Sequence, residues 1–200
     1  MKSKMRIALL GGTFNPVHNG HLYIAEKVLE NLKPDRVIFV PTYITPLKKP
    51  ARLAAASDRL RMLRAAIRNR KKYALSDFEI KKRRKSYSIE TARHIKRKYG
   101  SRTEIFMIIG SDALKALGRW KDIGKLSKMV RFVVLPRAGF PAKVPFANAI
   151  KLDVPVKNIS STDIRRRVRS GKRISHLVPG EIRRYITRHG LYRQGAQNGA

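Results

Sequence analysis

The sequence contains no cysteine, few acidic residues and no long apolar run, and each of these absences excludes a class of protein. Without cysteine, the 200-residue chain has no disulfide scaffold, no thiolate zinc site and no cysteine nucleophile. No segment approaches the roughly 18 apolar residues of a membrane span. The apolar run after the basic N-terminus, Ile7 to Leu10, is too short for a secretory signal. We therefore expect a soluble, cytoplasmic protein that makes no membrane contact.

Acidic residues are outnumbered by basic ones, with 13 Asp and Glu against 46 Lys and Arg, and the formal net charge is +33. A field of this sign attracts anions, so nucleotides, nucleic acids and acidic surfaces are the expected partners. Hydrophobic residues make up 42% of the chain, which is enough for a buried core and excludes whole-chain disorder. The length predicts one domain, residues 1–192, followed by a flexible tail, residues 193–200.

Short apolar runs alternate with helical patterns along the chain. The predicted strands are Arg6–Leu10, Arg36–Val40, Tyr73–Phe78, Ile105–Ile109, Arg131–Leu135 and a weaker Ala149–Val154. Apolar residues at helical spacing follow most of them, and two late helices form a small C-terminal helical part. This alternation indicates an α/β fold with a doubly wound parallel sheet. In such sheets, ligands bind at the carboxyl ends of the strands, so the loops that follow the strands are the expected site.

Several residues are candidates for helix ends. Ser57, Ser88 and Ser161 each stand where a hydroxyl could cap a helix N-terminus, and Asp112 is a fourth candidate. Gly190 follows the last helical pattern and is predicted to be the residue just beyond that helix. The stretch from Pro136 to Val156 is predicted to be a surface excursion.

The loop after the first strand carries two glycines and two histidines. Gly11 and Gly12 are expected to allow a sharp turn and the close approach of a phosphate. A helix beginning near Asn19 would aim free N–H groups at that phosphate, and His18 and His21 would converge on it, with the nearby anion favouring protonated rings. The loop has neither the Walker A nor the G-x-G-x-x-G pattern. Two alternatives remain: the histidines only cap or pack the turn, or they bind zinc, for which no third ligand cluster appears.

Two longer motifs support a phosphate-binding role for this loop. Gly11-Gly-Thr-Phe-Asn-Pro-Val-His-Asn-Gly-His-Leu22 resembles the first signature of the H-x-G-H nucleotidyltransferase superfamily, and Ile159-Ser-Ser-Thr-Asp-Ile-Arg165 resembles the second. Between them stand Lys85-Ser-Tyr-Ser88, Ile109-Gly-Ser-Asp-Ala-Leu114 and Trp120. With these motifs, the sequence from about Arg6 to Arg193 is similar to the bacterial nicotinate-nucleotide adenylyltransferases.

The resemblance implies a Rossmann-like nucleotidyltransferase fold and a specific reaction. ATP and nicotinate mononucleotide would give deamido-NAD and pyrophosphate, a step of NAD biosynthesis. The substrate's own phosphate would be the nucleophile, so the protein would act by positioning and charge stabilisation. Mg²⁺ would be held mainly by the ATP phosphates, with no metal ligand supplied by the protein.

The resemblance also implies the residues of the site. The catalytic residues would be His18, His21, Lys48 and Arg165. Contacts to ATP would come from Gly11, Gly12, Thr13, Phe14, His18, His21, Gly110, Asp112, Ile159, Ser161, Thr162 and Arg165. Contacts to nicotinate mononucleotide would come from Tyr87, Ser88, Trp120 and Arg137.

Within that set, Tyr87 and Ser88 would grip the nicotinate carboxylate and Trp120 would stack on the pyridine ring. The alternative for Trp120 is a place in the core. Leu47 stands where relatives often have a histidine, and Asn15 stands where many have aspartate, although asparagine also occurs there.

Three other functions compete with this one. Basic runs at Arg68–Lys72, Lys81–Lys85, Arg93–Lys98 and Arg165–Arg173 suggest a nucleic-acid-binding protein. No nucleic-acid-binding motif accompanies them, so non-specific affinity at low salt is the expectation. A transferase that acts on pantetheine phosphate is disfavoured by His18 and Trp120. Nicotinamide mononucleotide remains an alternative substrate, and a homo-oligomer is compatible with the sequence.

Overall fold

The computed structural model describes residues 4–46, 53–137, 139–140, 144–155 and 158–193. Six parallel strands form one sheet in the order β3-β2-β1-β4-β5-β6. The strands are β1 (Arg6–Gly12), β2 (Arg36–Pro41), β3 (Tyr73–Leu75), β4 (Glu104–Gly110), β5 (Arg131–Leu135) and β6 (Ile150–Lys151). The predicted doubly wound parallel sheet is confirmed.

Helices connect the strands and cover both faces of the sheet. They are α1 (Asn19–Leu32), α2 (Ala56–Ile67), α3 (Phe78–Lys81), α4 (Ser88–Tyr99), α5 (Ile123–Met129), α6 (Ser161–Arg169) and α7 (Gly180–Arg188), with a 3₁₀ helix at Ser111–Arg119. Successive residues of β1 contribute to opposite cores: Ala8 and Leu10 to one, Ile7 and Leu9 to the other. Burial on both faces is the reason that the central strands are continuous apolar runs. None of the helices in the described ranges is long and apolar enough to cross a membrane.

Two strands are shorter than predicted. The third ends at Leu75 because Phe78 begins α3, where its ring stacks on His94 with a centroid distance of 4.1 Å. The sixth, predicted as a weaker strand over Ala149–Val154, is limited to Ile150–Lys151 at the edge of the sheet, within the predicted surface excursion.

The predicted helix caps are wrong by one or two residues. The N-caps of α2, α4 and α6 are Ala55, Tyr87 and Ser160, so Ser57, Ser88 and Ser161 lie inside the first turns. The neighbouring hydroxyl of Ser160 accepts from the Asp163 N–H at 3.1 Å. The prediction for Gly190 is confirmed, because it follows α7 with a left-handed φ of 58°.

The order of the strands determines where a ligand can bind. β1 lies between β2 and β4, and the chain winds outward from it in both directions. At such a switch point, the loops that leave neighbouring strands diverge and open a crevice beyond their carboxyl ends. The loops after β1 and β4 border that crevice, and both carry predicted site residues. Of the predicted tail, residues 193–200, only Arg193 is described.

Candidate active site

The turn after β1 is made by a residue other than the one predicted. Gly11 and Gly12 end the strand, and the left-handed residue is Phe14, with φ of 47°. The Phe14 side chain is buried under the loop, 4.8 Å from the His21 ring and 5.8 Å from the Phe39 ring between centroids. The anchored ring holds a backbone conformation that L-residues rarely adopt. Beside Gly11 there is open space where a side chain would stand, so its backbone is accessible to a ligand.

The two histidines form a stacked pair at the start of α1. Their ring centroids are 3.7 Å apart, and His18 is the N-cap residue. The backbone N–H of His18 donates to Nδ1 of His21 over 3.3 Å. Since Nδ1 accepts, the proton of a neutral His21 is on Nε2, which becomes a donor at the far side of the ring. Nδ1 of His18 is buried and has no hydrogen-bond partner among the described residues.

The surroundings of both histidines favour the neutral form of the ring. Burial, followed by the charge of Arg137, lowers the pKa of His18 from 6.5 to about 4. The pKa of His21 also lies well below its usual range because the ring is enclosed, with further contributions from His18 and Arg137. The sequence predicts protonated rings, and the structure differs because burial penalises the charged form of both rings, with the charge of Arg137 adding to that penalty.

The second motif packs directly against the first. The Arg165 guanidinium donates from Nη1 to the backbone oxygen of Asn15 at 2.8 Å. The Ser161 hydroxyl donates to the backbone oxygen of Pro16 at 2.9 Å. Thr162 is exposed, and its hydroxyl accepts from Nη2 of Arg165 at 3.2 Å. Residues about 145 positions apart in the sequence thus meet around one loop.

Three further contacts complete this junction. The Asn15 side-chain oxygen accepts from the Tyr192 hydroxyl at 2.9 Å and from the Ala54 N–H at 3.0 Å. Ile159 is half-buried against the core, and its Cβ lies 3.6 Å from the position that a Cβ on Gly20 would take. The start of α6 is therefore held close to the start of α1.

The loops after β4 and β5 contribute a third group. Arg137 and Asp112 form an ion pair of 3.4 Å at the edge of the crevice. A Cβ on Gly110 would lie 2.9 Å from Nε of Arg137 and closer still to Oδ1 of Asp112, so a larger residue there would force both side chains to shift. Asp112 is not the N-cap of its helix, a position taken by Gly110. Arg137, which is predicted to contact the mononucleotide, lowers the pKa of both histidines, so its charge acts on the histidine side of the crevice.

The predicted pyridine-binding residues lie at the start of α4 and the end of the 3₁₀ helix. Lys121 Nζ lies 4.8 Å from the centroid of the Tyr87 ring. Since Lys121 directly follows Trp120, this contact places the end of the 3₁₀ helix close to the start of α4. Trp120 is half-buried, and its ring meets Phe132 edge-on at 6.3 Å. It therefore packs partly against the core, as the alternative for it predicts, while leaving part of its surface exposed.

Sequence reasoning missed two buried charges, Arg59 and Glu79, which are 2% and 8% exposed. Arg59 occupies the apolar stripe of α2, with Met62, Leu63 and Ala66 at helical spacing, and a lone cation in that stripe was the available signal. Lys48 and Leu47 lie outside the described residues. Within the described ranges, no group of three or more His, Asp or Glu side chains could hold a metal ion.

Comparison with known proteins agrees with this geometry. A family model described as cytidylyltransferase-like matches residues 9–167. A Clostridium tetani protein named "probable nicotinate-nucleotide adenylyltransferase" is 37% identical over 204 residues, covering 96% of this chain and 100% of its own length. One of the same name from Exiguobacterium sibiricum is 40% identical over 189 residues, covering 94% and 99%.

The fold also matches that of solved structures. The Plasmodium falciparum nicotinic acid mononucleotide adenylyltransferase complexed with NaAD superposes with a TM-score of 0.77 at 19% identity, covering 94% of this chain and 97% of that one. At such identity the match concerns the fold alone, and the family assignment depends on the sequence relatives. The chain therefore belongs to the cytidylyltransferase-like nucleotidyltransferases and, within them, to the nicotinate-nucleotide adenylyltransferase family.

Proposed function

We infer that the protein transfers the adenylyl group of ATP to nicotinate mononucleotide, giving deamido-NAD and pyrophosphate. One observation carries this inference: the stacked His18–His21 pair at the start of α1 is joined to Ser161 and Arg165 of α6 around a single loop. Two helix N-termini and a guanidinium thereby converge beyond the end of β1. Such a set of donors is suited to a polyphosphate.

The chemistry follows from these donors. A phosphate oxygen of the mononucleotide attacks the α-phosphorus of ATP, and the bond from that phosphorus to the oxygen bridging to the β-phosphate breaks. The electron pair leaves with pyrophosphate. His21 Nε2–H and Arg165 would donate to the oxygens on which charge develops, and Ser161 would bind the leaving β,γ-phosphates. The attacking phosphate is already anionic at neutral pH, so no enzyme nucleophile or strong base is required.

The same site fits Mg²⁺ that arrives on the nucleotide. The donors around the crevice are imidazole, guanidinium and backbone N–H groups, which bind phosphate, and carboxylate clusters of the kind that hold a bare cation are absent from the described part of the chain. When bound to the phosphates, Mg²⁺ would neutralise part of their charge. Arg137 would add a second fixed cation on this side.

The mononucleotide would lie between the start of α4 and Trp120. Ser88 is the first residue of α4, where free N–H groups and a hydroxyl suit a carboxylate. The exposed part of Trp120 would stack on the pyridine ring. Since the reaction consumes ATP, we place the protein in the cytoplasm.

A single assay tests the proposal. The protein is incubated with ATP, Mg²⁺ and either nicotinate or nicotinamide mononucleotide, and pyrophosphate release is measured. We expect release with the nicotinate form and much less with the nicotinamide form. Absence of release with both would refute the transferase assignment, and release with only the nicotinamide form would refute the choice of substrate.

A basic groove supports an additional, electrostatic affinity for nucleic acid. The groove lies between the end of α6 and α7 and has a volume of about 770 Å³. Five cations line it without an acidic side chain: Arg169, Lys172, Arg173, Arg183 and Arg193. Within the part of the chain that the structure describes, none of the five forms an ion pair. We propose that single-stranded nucleic acid binds there without sequence preference.

A further inference from the structure

The segment 42–44, which follows β2, lies between the two halves of the proposed site. On one side, the Thr42 N–H donates to the backbone oxygen of Gly12 at 2.9 Å, next to the phosphate-binding loop. On the other side, the Tyr43 N–H donates to the Ser86 hydroxyl at 3.1 Å, and the Ser86 N–H donates to the Ile44 oxygen at 3.0 Å. Ser86 directly precedes Tyr87 and Ser88. This short segment is thus the spacer between the two half-sites.

A buried cation holds the spacer on the phosphate side. Nη1 of Arg59 donates to the Thr42 oxygen at 2.7 Å and to the Thr13 oxygen at 2.9 Å. Its Nε donates to the Ala54 oxygen at 3.3 Å. One guanidinium therefore joins the loop after β1, the end of β2 and the start of α2. Burial of a guanidinium carries a high desolvation cost, and the hydrogen bonds to these three backbone oxygens offset that cost.

A buried carboxyl group holds the spacer on the pyridine side. The Thr91 hydroxyl of α4 donates to Oε1 of Glu79 at 2.6 Å. Burial raises the pKa of Glu79, and hydrogen bonds from the Thr91, Ser86 and Thr42 hydroxyls oppose that rise. These three hydroxyls belong to the spacer, to the segment before α4 and to α4 itself. Glu79 thereby joins the spacer to the residues around Tyr87 and Ser88.

We propose that the buried Arg59 and Glu79, joined through the half-buried Thr42, form a bridge that sets the distance between the adenylyl half-site and the mononucleotide half-site. The inference rests on the proposed function, because the attacking phosphate is bound on one side and the α-phosphorus on the other. The three residues are positioning residues, since their contacts run to the protein backbone and to hydroxyls. A misplacement of about 1 Å between reacting groups can cost about 100-fold in rate.

The test separates rate from binding. Thr42→Val removes the hydroxyl and keeps the shape, and Thr42→Ser restores the hydroxyl. We expect Thr42→Val to lower kcat by roughly 10-fold or more while the Kd of each substrate alone changes less than about 3-fold, and Thr42→Ser to recover most of the loss. Glu79→Gln is expected to lower kcat similarly, and the double variant Thr42→Val/Glu79→Gln to lose little more than either single variant.

The matched control is Thr103→Val. Thr103 is a buried threonine at the opposite end of the sheet, and its hydroxyl donates to the Tyr99 oxygen at 3.0 Å. We expect it to lower the melting temperature with an unchanged kcat. The bridge is refuted if Thr42→Val and Glu79→Gln, like the control, lower the melting temperature and leave kcat unchanged. It is also refuted if either variant weakens the binding of one substrate by as large a factor as it lowers kcat. The proposed function is tested separately, by the rate of the wild-type protein with ATP and nicotinate mononucleotide, whereas the bridge is tested by the kcat of each variant relative to the wild type.

Discussion

At the scale of single residues, the site depends on side chains that do two things at once. His21 accepts the N–H of the helix cap through Nδ1 and keeps Nε2–H for a ligand. Capping and phosphate binding, which the sequence offers as alternatives, are therefore compatible in one ring. Phe14 in turn carries both the left-handed turn and the packing beneath that ring. Substitutions here must be chosen so that only one of the two roles is lost.

His21→Ala and His21→Asn separate the two roles of that histidine. The asparagine side-chain oxygen can replace Nδ1 as the cap acceptor, but no group replaces Nε2–H. We expect both variants to lower kcat by about 10²–10³, as for loss of a donor to developing charge, with His21→Asn retaining more stability. Steady-state kinetics and urea unfolding measure the two effects. A His21→Asn variant with near-normal kcat would leave His21 a capping role only.

The depressed pKa of His18 predicts a pH dependence of stability. A pKa of about 4 in the folded protein, against an ordinary value of 6.5, means that the unfolded chain binds the extra proton between these pH values. The free energy of unfolding should therefore fall as pH drops from about 6.5 towards 4, by up to about 3 kcal/mol from this group. Urea unfolding at several pH values, with His18→Gln as the control, tests this. Parallel pH profiles for the two proteins would contradict it.

Trp120 and Ser88 are predicted to govern the choice of mononucleotide. Trp120→Ala should weaken mononucleotide binding by roughly 1–3 kcal/mol, as for loss of an aromatic–base stack, and leave ATP nearly unaffected. Ser88→Ala should narrow the preference for nicotinate over nicotinamide mononucleotide, because it removes a donor to the carboxylate. KM values for all three substrates provide the measurement. An increase confined to the KM for ATP in Trp120→Ala would show that the two substrates lie on opposite sides from those proposed.

At the scale of helices and strands, local patterns predicted much of the structure. The strands β1, β2, β4 and β5 and the helix α1 match their predicted positions to within two residues, because each is a strong apolar pattern that ends at glycine, proline or a cap. The caps of α4 and α6 shifted because neighbouring residues compete for one position, and only tertiary packing decides between Ser160 and Ser161. The loop motifs predicted a candidate site, and the structure brings residues of both motifs together around one loop.

The contacts that join these elements were not predictable from local patterns. Two of the three backbone oxygens that accept from Arg59 lie 17 and 46 residues away, and Glu79 accepts from a hydroxyl 12 residues away. A buried charge is tolerated only where acceptors or donors converge, and that convergence exists only in the folded sheet. The Phe14 turn was missed for a similar reason, because a bulky left-handed residue depends on the pocket that receives its ring.

The contact between the end of the chain and the first loop is open to a direct test. Tyr192→Phe removes the hydroxyl that donates to Asn15 and leaves the Ala54 N–H in place. We expect the free energy of unfolding to fall by about 1 kcal/mol, the usual net value of one hydrogen bond, and kcat to fall because the loop is less well held. Tyr99→Phe, at a half-buried tyrosine that ends α4 far from this contact, is the control. If the two variants had the same unfolding curves and the same kcat, the hydrogen bond between Tyr192 and Asn15 would contribute neither to stability nor to catalysis.

At the scale of the whole molecule, the charge of +33 is far larger than binding one nucleotide requires. Much of it lies on the outer surface, where it creates a field that draws anions to the protein from a distance. Electrostatic capture of this kind raises association rates at low ionic strength and fades as salt screens it. The field therefore concentrates both substrates and incidental polyanions around the molecule.

Nucleic-acid affinity should be localised to the groove between α6 and α7. The groove variant is Lys172→Gln/Arg173→Gln/Arg183→Gln, and the matched control with the same change in charge is Arg68→Gln/Lys71→Gln/Lys72→Gln at the end of α2. Fluorescence anisotropy with a labelled single-stranded oligonucleotide measures binding from 50 to 200 mM salt. We expect the slope of log affinity against log salt to fall by about 2 in the groove variant alone. Equal losses in both variants would show that net charge decides and that no particular surface is used.

The hydrogen bond between Tyr192 and Asn15 also has a consequence for the order in which the protein is made. Tyr192, whose hydroxyl donates to Asn15, is synthesised 177 residues after it. At about 5–20 residues per second, the interval is roughly 10–35 s. During that time β1 has its first neighbour, β2, long before its second, β4. Until Tyr192 has emerged, the nascent chain lacks this hydrogen bond to the loop after β1, and we expect no full catalytic activity before that point.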